Sequence, residues 1–537
     1  MNINLFRFIK SEFHEFVYTV RDDCRHIASK LLIGIVIIGI VLRIIAFGGH
    51  TVIHIDEALY SNWAASIGHN HKLLFTISGV DKPPLFYYLV GASMFLFGPN
   101  DQAAKLPGLA IGSLTIMLGA LIAYALLRRK DASLWTAFFF ALSPFEIAYG
   151  PTVFADASCM FFALAAVYAI LARLPIMSGL FFGLSIITKQ SAIYFLPLYA
   201  ILYIIRFRMR LYPLKGVLAG VLYPLVPTLI WALLIADRGL GVFFGICKQE
   251  FFSKGEGISL FKWLAFAQYI TGNWLTFILS LAAIIGALVF YGYDLARKRS
   301  ESDPDRYCEL IAMLLFVIGY TAMISVLQYP LYSRYVSVIS GIYLVLFGIG
   351  VSIVFRELLA RARYYSGKKV YIFLRLGIVA AIVYWLFAVP DNLANFPDGT
   401  QYQEMETVLP CVSYIKNHGY PAAIFYTENL WPFIPWYVYD DHKQDKVYRR
   451  PVQFKTASGI HDLAQRMAKD QEELEDKKIY FIIDPRKDSE AFDLLEQELG
   501  FSLAAECVFT AQPTRQGRPS YMVYRIDNLA LKPFAEQ

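Results

Sequence analysis

The chain has 537 residues, 57% hydrophobic and 17% charged, with a formal net charge of +6 and a mean hydropathy of +0.47. Soluble domains carry about a quarter charged residues, and apolar runs of about 20 residues recur here through the first 390 positions, so the chain reads as a polytopic helical membrane protein rather than a soluble enzyme. The positive excess then encodes orientation rather than nucleic-acid binding, and Cys24, Cys159, Cys247, Cys308, Cys411 and Cys507 lack the spacing of a zinc site or a disulfide framework.

Residues 1–30 are polar, mixed in charge and flecked with aromatics, as expected of a segment on the cytoplasmic surface. Spans are expected at 31–48, 106–127, 132–149, 154–172, 175–188, 191–205, 213–236, 270–292, 308–328, 335–355 and 370–389, eleven in all. No small-residue cleavage site follows the first, which is expected to be an uncleaved anchor. The apolar stretch "PPLFYYLVGASMFLFG" (83–98) is short and opens on two prolines. Basic loops decide its placement, because clusters of Lys and Arg stay cytoplasmic. "RRK" (128–130), "RFRMR" (206–210), "RKR" (297–299) and "RELLARARYYSGKK" (356–369) all fall inside only if 83–98 does not cross.

Residues 49–105 then form one long external loop of the 31–390 membrane domain. The loop is expected to hold an amphipathic helix, with Leu59, Trp63 and Ile67 on one face. The same parity puts 150–156, 188–191, 237–269, 328–334 and the C-terminal region outside. In 395–537 the composition changes. "AAIFYT", "KKIYFIID", "SLAAECVFT" and "YMVYRI" read as strands, and "HDLAQRMAKDQEELED" and "SEAFDLLEQEL" as amphipathic helices. This pattern predicts a soluble, extracytoplasmic α/β domain, without a nucleotide-binding motif.

The external side collects Asp56, Glu57, Asp81, Lys82, Asp156, Lys189 and Arg334. Ionisable groups at the membrane rim are functional candidates. A carboxylate can take a hydroxyl proton, and Lys and Arg can stabilise a departing phosphate. Each residue also has a plainer reading. Asp56 and Glu57 suit a solvated loop or the first turn of a helix. "DKPP" suits a simple turn, Asp156 suits an N-cap, and Lys189 and Arg334 suit cations snorkelling at helix ends. His54, His69 and His71 raise a metal, yet loop histidines are more often unliganded. A transporter or flippase of a lipid-linked sugar would use the same charges without chemistry, although no internal repeat supports one.

Taken together and in order, these pieces resemble the membrane glycosyltransferases of the C-type fold (GT-C), in particular the branch of protein O-mannosyltransferases and lipid A aminoarabinose transferases. "HIDEALYSNWA" resembles the family's acid pair and "DKPPLFYYL" its acid-Lys-Pro-Pro segment. "AKLPGLAIGSL" resembles its R-L-P segment, with Lys105 in place of arginine. Asp156 in "SPFEIAYGPTVFADAS", "GLFFGLSIITKQ" and Arg334-Tyr335 match the remaining pieces, so the resemblance covers roughly residues 30–355.

The resemblance implies a polyprenyl- or dolichyl-phosphate sugar as donor and an acceptor hydroxyl on a glycan, lipid or protein. Transfer would be an inverting single displacement on the extracytoplasmic side of the cell membrane. The catalytic residues would be Asp56 as the base, Glu57 placing the acceptor or shaping the loop, and Asp156 orienting the acceptor or completing an acidic pocket. Lys82, Lys189 and Arg334 would hold the donor phosphate, and Asp81, Tyr60 and Tyr87 would line the substrate pocket. No metal ligand is assigned and no cofactor is expected to be obligatory, although some members of the wider fold use a divalent cation.

Overall fold

A computed structural model describes residues 3–49, 54–71, 82–234, 260–297, 303–327 and 332–362, then residues 372 and 383–385 and the main helices and strands of the C-terminal region. The chain divides into two compact units. One comprises Met1–Gly49 and Trp63–Pro397, the other His50–Asn62 and Asp398–Gln537.

The first unit is helical. In chain order its elements are α1 (Ile3–Ile27), α2 (Lys30–Gly49), α3 (Ile55–Gly68, whose first half groups with the second unit), α4 (Pro84–Phe97), α5 (Asp101–Leu127), α6 (Lys130–Leu142), α7 (Pro144–Tyr149), α8 (Ala155–Leu171) and α9 (Pro175–Ile186). They continue with α10 (Leu196–Phe207), α11 (Leu211–Leu234), α12 (Leu260–Ala267), α13 (Trp274–Ala296), α14 (Pro304–Leu327) and α15 (Ser337–Arg361). Among the described residues seven helices are long and apolar enough to cross a membrane, and α4, α8 and α9 are shorter apolar helices. This is a multi-pass membrane protein.

Several expected spans are built differently in detail. The run 132–149 is two helices, because Pro144 has no N–H to continue the ladder and buried Ser143 caps the second one, its hydroxyl accepting from the Glu146 N–H and donating to the Ile270 carbonyl at 2.7 Å. The run from 191 opens as a 3-10 helix, Gln190–Phe195, and the run from 335 is preceded by another, Ser333–Val336. The α4 helix has 14 residues, short of the ~20 needed to cross alone. Almost all of the expected span 370–389 lies outside the described residues.

The α3 helix departs from the expected surface stripe. Glu57, Ala58, Tyr60, Ser61, Trp63, Ala64 and Ala65 are all buried, whereas Leu59 and Ile67 are only half-buried. The reason lies in small side chains. A methyl group on Gly68 would fall 2.0 Å from the Gly91 carbonyl oxygen, so α3 and α4 touch backbone to backbone.

At the other end of the unit, α1 is tied down by side chains. Glu12 accepts from the Met177 N–H at 3.0 Å, capping α9 from a distance. Asp23 accepts from Arg128 and from the Tyr168 hydroxyl, each at 2.8 Å.

The second unit carries a five-stranded sheet in the order β2-β1-β3-β5-β4, formed by β1 (Ala422–Thr427), β2 (Val447–Val452), β3 (Lys478–Ile483), β4 (Glu506–Thr510) and β5 (Met522–Ile526). The β2, β1 and β3 strands are parallel, and β5 runs antiparallel to both β3 and β4. Helices α16 (Gly399–His418) and α17 (Ala457–Lys469) belong to the same unit. Phe425 and Phe481 stack at 5.2 Å within a core that includes Ile460, Leu463 and Met467 of α17. The expected soluble α/β domain is therefore present. Its β2 strand was not anticipated, because "VYRRPV" has no clear alternation.

Candidate active site

Asp156 sits in the first turn of α8, two residues after the N-cap position, which Phe154 holds without a side-chain cap. It is thus not the helix cap. Its Oδ1 accepts from Lys189 Nζ at 2.7 Å and from Ser337 Oγ at 3.0 Å. Both members of the ion pair are almost fully buried, at 4% and 5% side-chain exposure. Lys189 is not a snorkelling cation either, since its charge ends on a carboxylate inside the protein. Arg334 adds a second positive charge in the field of Asp156.

The glycines of the sequence motifs explain how these residues reach one another. In "KLPGLAIG", a methyl group on Gly108 would fall 2.4 Å from the Thr152 carbonyl, and one on Gly112 would fall 3.0 Å from Gly150 Cα. The turn leading to Asp156 therefore lies directly on α5. In "GLFFGL", a methyl group on Gly179 would fall 2.1 Å from the Val217 carbonyl, so α9 packs flush on α11 and delivers Lys189 at its end. The Leu85 N–H donates to the Ile187 carbonyl at 3.1 Å, which ties the "DKPPL" segment to the "TKQ" segment. Buried Lys82 and Lys189 come from these two neighbouring stretches.

Arg334 lies in an aromatic box. Its guanidinium carbon is 4.7 Å from the Tyr332 ring centre, 5.0 Å from Phe154 and 6.0 Å from Tyr335. Lys189 Nζ lies 5.7 Å from the same Tyr335 ring. The Tyr149 hydroxyl, 2.8 Å from Ser333 Oγ, fixes the residue before Arg334. A pocket opens beside the ion pair, lined by Asp156, Lys189, Ser191, Tyr194, Tyr320, Tyr335 and Val338. A buried lysine and a half-buried arginine beside aromatic rings suit a phosphate joined to an apolar tail.

The tandem acid opens α3, in the second unit. Glu57 is buried, and its Oε2 accepts from the His54 N–H at 2.7 Å. His54 Nδ1 in turn accepts from the Asp56 N–H at 3.0 Å. This is a reciprocal cap in which imidazole takes the part usually played by Ser or Asp. Nδ1 must carry a lone pair to do so, so the neutral ring holds its proton on Nε2. Asp56 Oδ2 lies 3.9 Å from His54 Nδ1, and its side chain is 34% exposed. The first-turn reading thus describes Glu57, while Asp56 keeps an accessible carboxylate.

Tyr60 and Tyr87 are both buried, and Tyr87 meets Trp63 edge-on at 5.6 Å. Asp81 lies outside the described residues. Among the described residues no group of three or more His, Cys, Asp or Glu side chains is arranged to hold a metal ion.

Sequence reasoning missed Ser337, Tyr194 and Tyr320, which are inconspicuous in apolar or aromatic runs. It also missed Arg43 and Glu146, both buried in the helical unit. Arg43 is the only charged residue between Leu31 and Gly49, a signal available in the sequence.

Residues 81–231 match the family described as Dolichyl-phosphate-mannose-protein mannosyltransferase. Among solved structures, ArnT from Cupriavidus metallidurans bound to undecaprenyl phosphate superposes with a TM-score of 0.63 at 14% identity, covering 95% of this chain and 100% of that one. The chain shares the fold of ArnT. The apo form of the same ArnT gives a TM-score of 0.61 at 13% identity over 92% of this chain and 97% of that one. The apo oligosaccharyltransferase of Archaeoglobus fulgidus gives 0.51 at 14% identity over 91% of this chain and 74% of that one. No curated protein sequence matches the chain.

Proposed function

We propose that the protein transfers a sugar from a polyprenyl-phosphate carrier to an acceptor hydroxyl on the extracytoplasmic side of the cell membrane. The observation that supports this most is the buried Asp156–Lys189 pair beside a tyrosine-lined pocket, with Arg334 close by in its aromatic box. A phosphate that enters meets preorganised positive charge in a water-poor setting. Its isoprenoid tail stays in the bilayer.

In the proposed reaction Asp56 takes the proton from the acceptor hydroxyl. The acceptor oxygen forms a bond to the anomeric carbon as the bond from that carbon to the phosphate oxygen breaks. The configuration inverts in this single displacement. The carrier leaves as a phosphomonoester, with one more negative charge than it had in the donor. Lys189, Arg334 and Lys82 balance that charge. Asp156 holds Lys189 in place rather than touching the acceptor. Glu57 fixes the start of α3 and with it the base.

The test is transfer from radiolabelled undecaprenyl-phosphate sugars to membrane acceptors, with the wild type beside Lys189→Met. Label transferred by the wild type and lost in the variant supports the proposal. Movement of the lipid-linked sugar across the bilayer without transfer contradicts it and favours a flippase.

A further inference from the structure

Arg43 lies in the first membrane helix and is completely buried, and Glu146 is 3% exposed. An intramembrane charge is expensive to keep and calls for a use. Arg43 does not face a lipid headgroup. Its Nη2 donates to the Phe140 carbonyl at 2.9 Å, and its Nη1 donates to Gly39 at 3.1 Å and Ala141 at 3.4 Å. Phe140 and Ala141 end α6, where carbonyls lack helical partners and the helix dipole is negative. The guanidinium thus holds the broken end of α6 just before Ser143 and Pro144.

Glu146, a buried carboxylate in the first turn of α7, lies in the electrostatic field of Arg43. From α7 the chain runs through Tyr149, which holds Ser333 beside Arg334, and through the 150–152 turn on α5 to Asp156. A methyl group on Gly112 or Gly150 would lie 3.7 or 3.5 Å from Arg43 Nε, so the guanidinium packs against that turn as well. Arg43 therefore holds the end of α6 at the entry to α7 and packs on the turn at its exit, and the groups placed from that exit belong to the phosphate site.

We propose that Arg43, with Glu146 as a counter-charge, is a positioning residue that sets the placement of Asp156 and Arg334, and through Asp156 that of Lys189, during sugar transfer. They touch neither substrate. The proposal rests on the reading of the Asp156–Lys189 pocket as the donor-phosphate site. A displacement of α7 by a fraction of a bond length would leave the lipid phosphate bound but misaligned for the displacement.

The test uses the full-length chain in nanodiscs. Transfer is measured with the undecaprenyl-phosphate sugar active for the wild type, and undecaprenyl phosphate binding is read from tryptophan fluorescence. Two variants are compared, Glu146→Gln and the double Arg43→Met/Glu146→Met, which removes both charges at once and strands neither. Each is expected to lower kcat by about 10- to 100-fold while the Kd for undecaprenyl phosphate stays within about threefold. Wild-type kcat in either variant overturns the proposal, as does a loss of affinity equal to the loss of rate. Failure of both to accumulate as folded protein also overturns it, by assigning the pair to the fold at large. A wild type that neither binds undecaprenyl phosphate nor transfers sugar sinks the functional reading itself, a result distinct from all of these.

Discussion

Lys189 Nζ donates to Asp156 Oδ1 at 2.7 Å, and neither side chain is more than 5% exposed. Removing one partner strands the other as a buried charge, which costs about 3–5 kcal/mol. Lys189→Met and Asp156→Asn are each expected to lower the thermal unfolding temperature and to abolish transfer. The double variant Asp156→Asn/Lys189→Met is expected to regain most of the lost stability and none of the activity. Thermal unfolding in detergent checks this, and a double variant destabilised by the sum of the two singles would sink it.

Arg334 offers a flat cation to three rings. Lysine keeps the charge but neither stacks nor donates in a fork. Arg334→Lys is expected to weaken undecaprenyl phosphate binding by about tenfold, equivalent to about 1.4 kcal/mol, with the unfolding temperature little changed. Titration of the purified variant reads the shift. An unchanged Kd would show that charge alone suffices.

The cap on α3 gives an unusual rescue experiment. His54 Nδ1 accepts the Asp56 N–H and Glu57 accepts the His54 N–H. Asparagine is a good N-cap and keeps an acceptor at this position. His54→Asn is expected to retain transfer within about threefold, and His54→Ala to lose about tenfold or more, because the cap that fixes Asp56 contributes ~1 kcal/mol or more of local order. Equal loss in both variants would give the imidazole a chemical part of its own. Glu57→Gln, which keeps an acceptor, is expected to follow His54→Asn.

Asp156 and Lys189 were legible as charges at the rim of apolar runs, in segments that match the family's order, and the glycines of those segments serve helix contact. The charges themselves gave no hint that the two residues pair. Ser337 was hidden in an apolar run, where a single hydroxyl has no pattern. Arg43 and Glu146 stood far apart in the chain, and nothing local links a lone arginine in one span to an acid beside a broken helix. The break itself was signalled by "SP" at Ser143–Pro144, which the long apolar run concealed. In the second unit "AAIFYT" was read to the residue, since β-branched and aromatic residues fill a central parallel strand. The edge strand "VYRRPV" carries two arginines and a proline, as edge strands tolerate, and so escaped.

A separate pH effect belongs to α1. Burial against α9 raises the Glu12 carboxyl from 4.5 to about 7, partly opposed by the N–H groups of Met177 and Ile176. The folded state then holds a proton that the unfolded chain has released. This contribution to stability is complete below the unfolded value and is lost as pH rises through the folded one. The wild-type unfolding temperature is expected to fall between about pH 5 and 8, and Glu12→Gln, which keeps an acceptor for α9, to flatten that slope. Parallel slopes for the two proteins would remove Glu12 as the source.

The base assigned to Asp56 is tested most directly by transfer from the active undecaprenyl-phosphate sugar in nanodiscs containing Asp56→Asn, with undecaprenyl phosphate binding measured on the same sample. Asparagine keeps the size and the backbone N–H but cannot take a proton at neutral pH. Transfer is expected to fall by at least about a hundredfold, within the range that general-base catalysis supplies, with binding unchanged. Transfer at the wild-type rate in Asp56→Asn would take the base away from Asp56 and contradict the proposed mechanism.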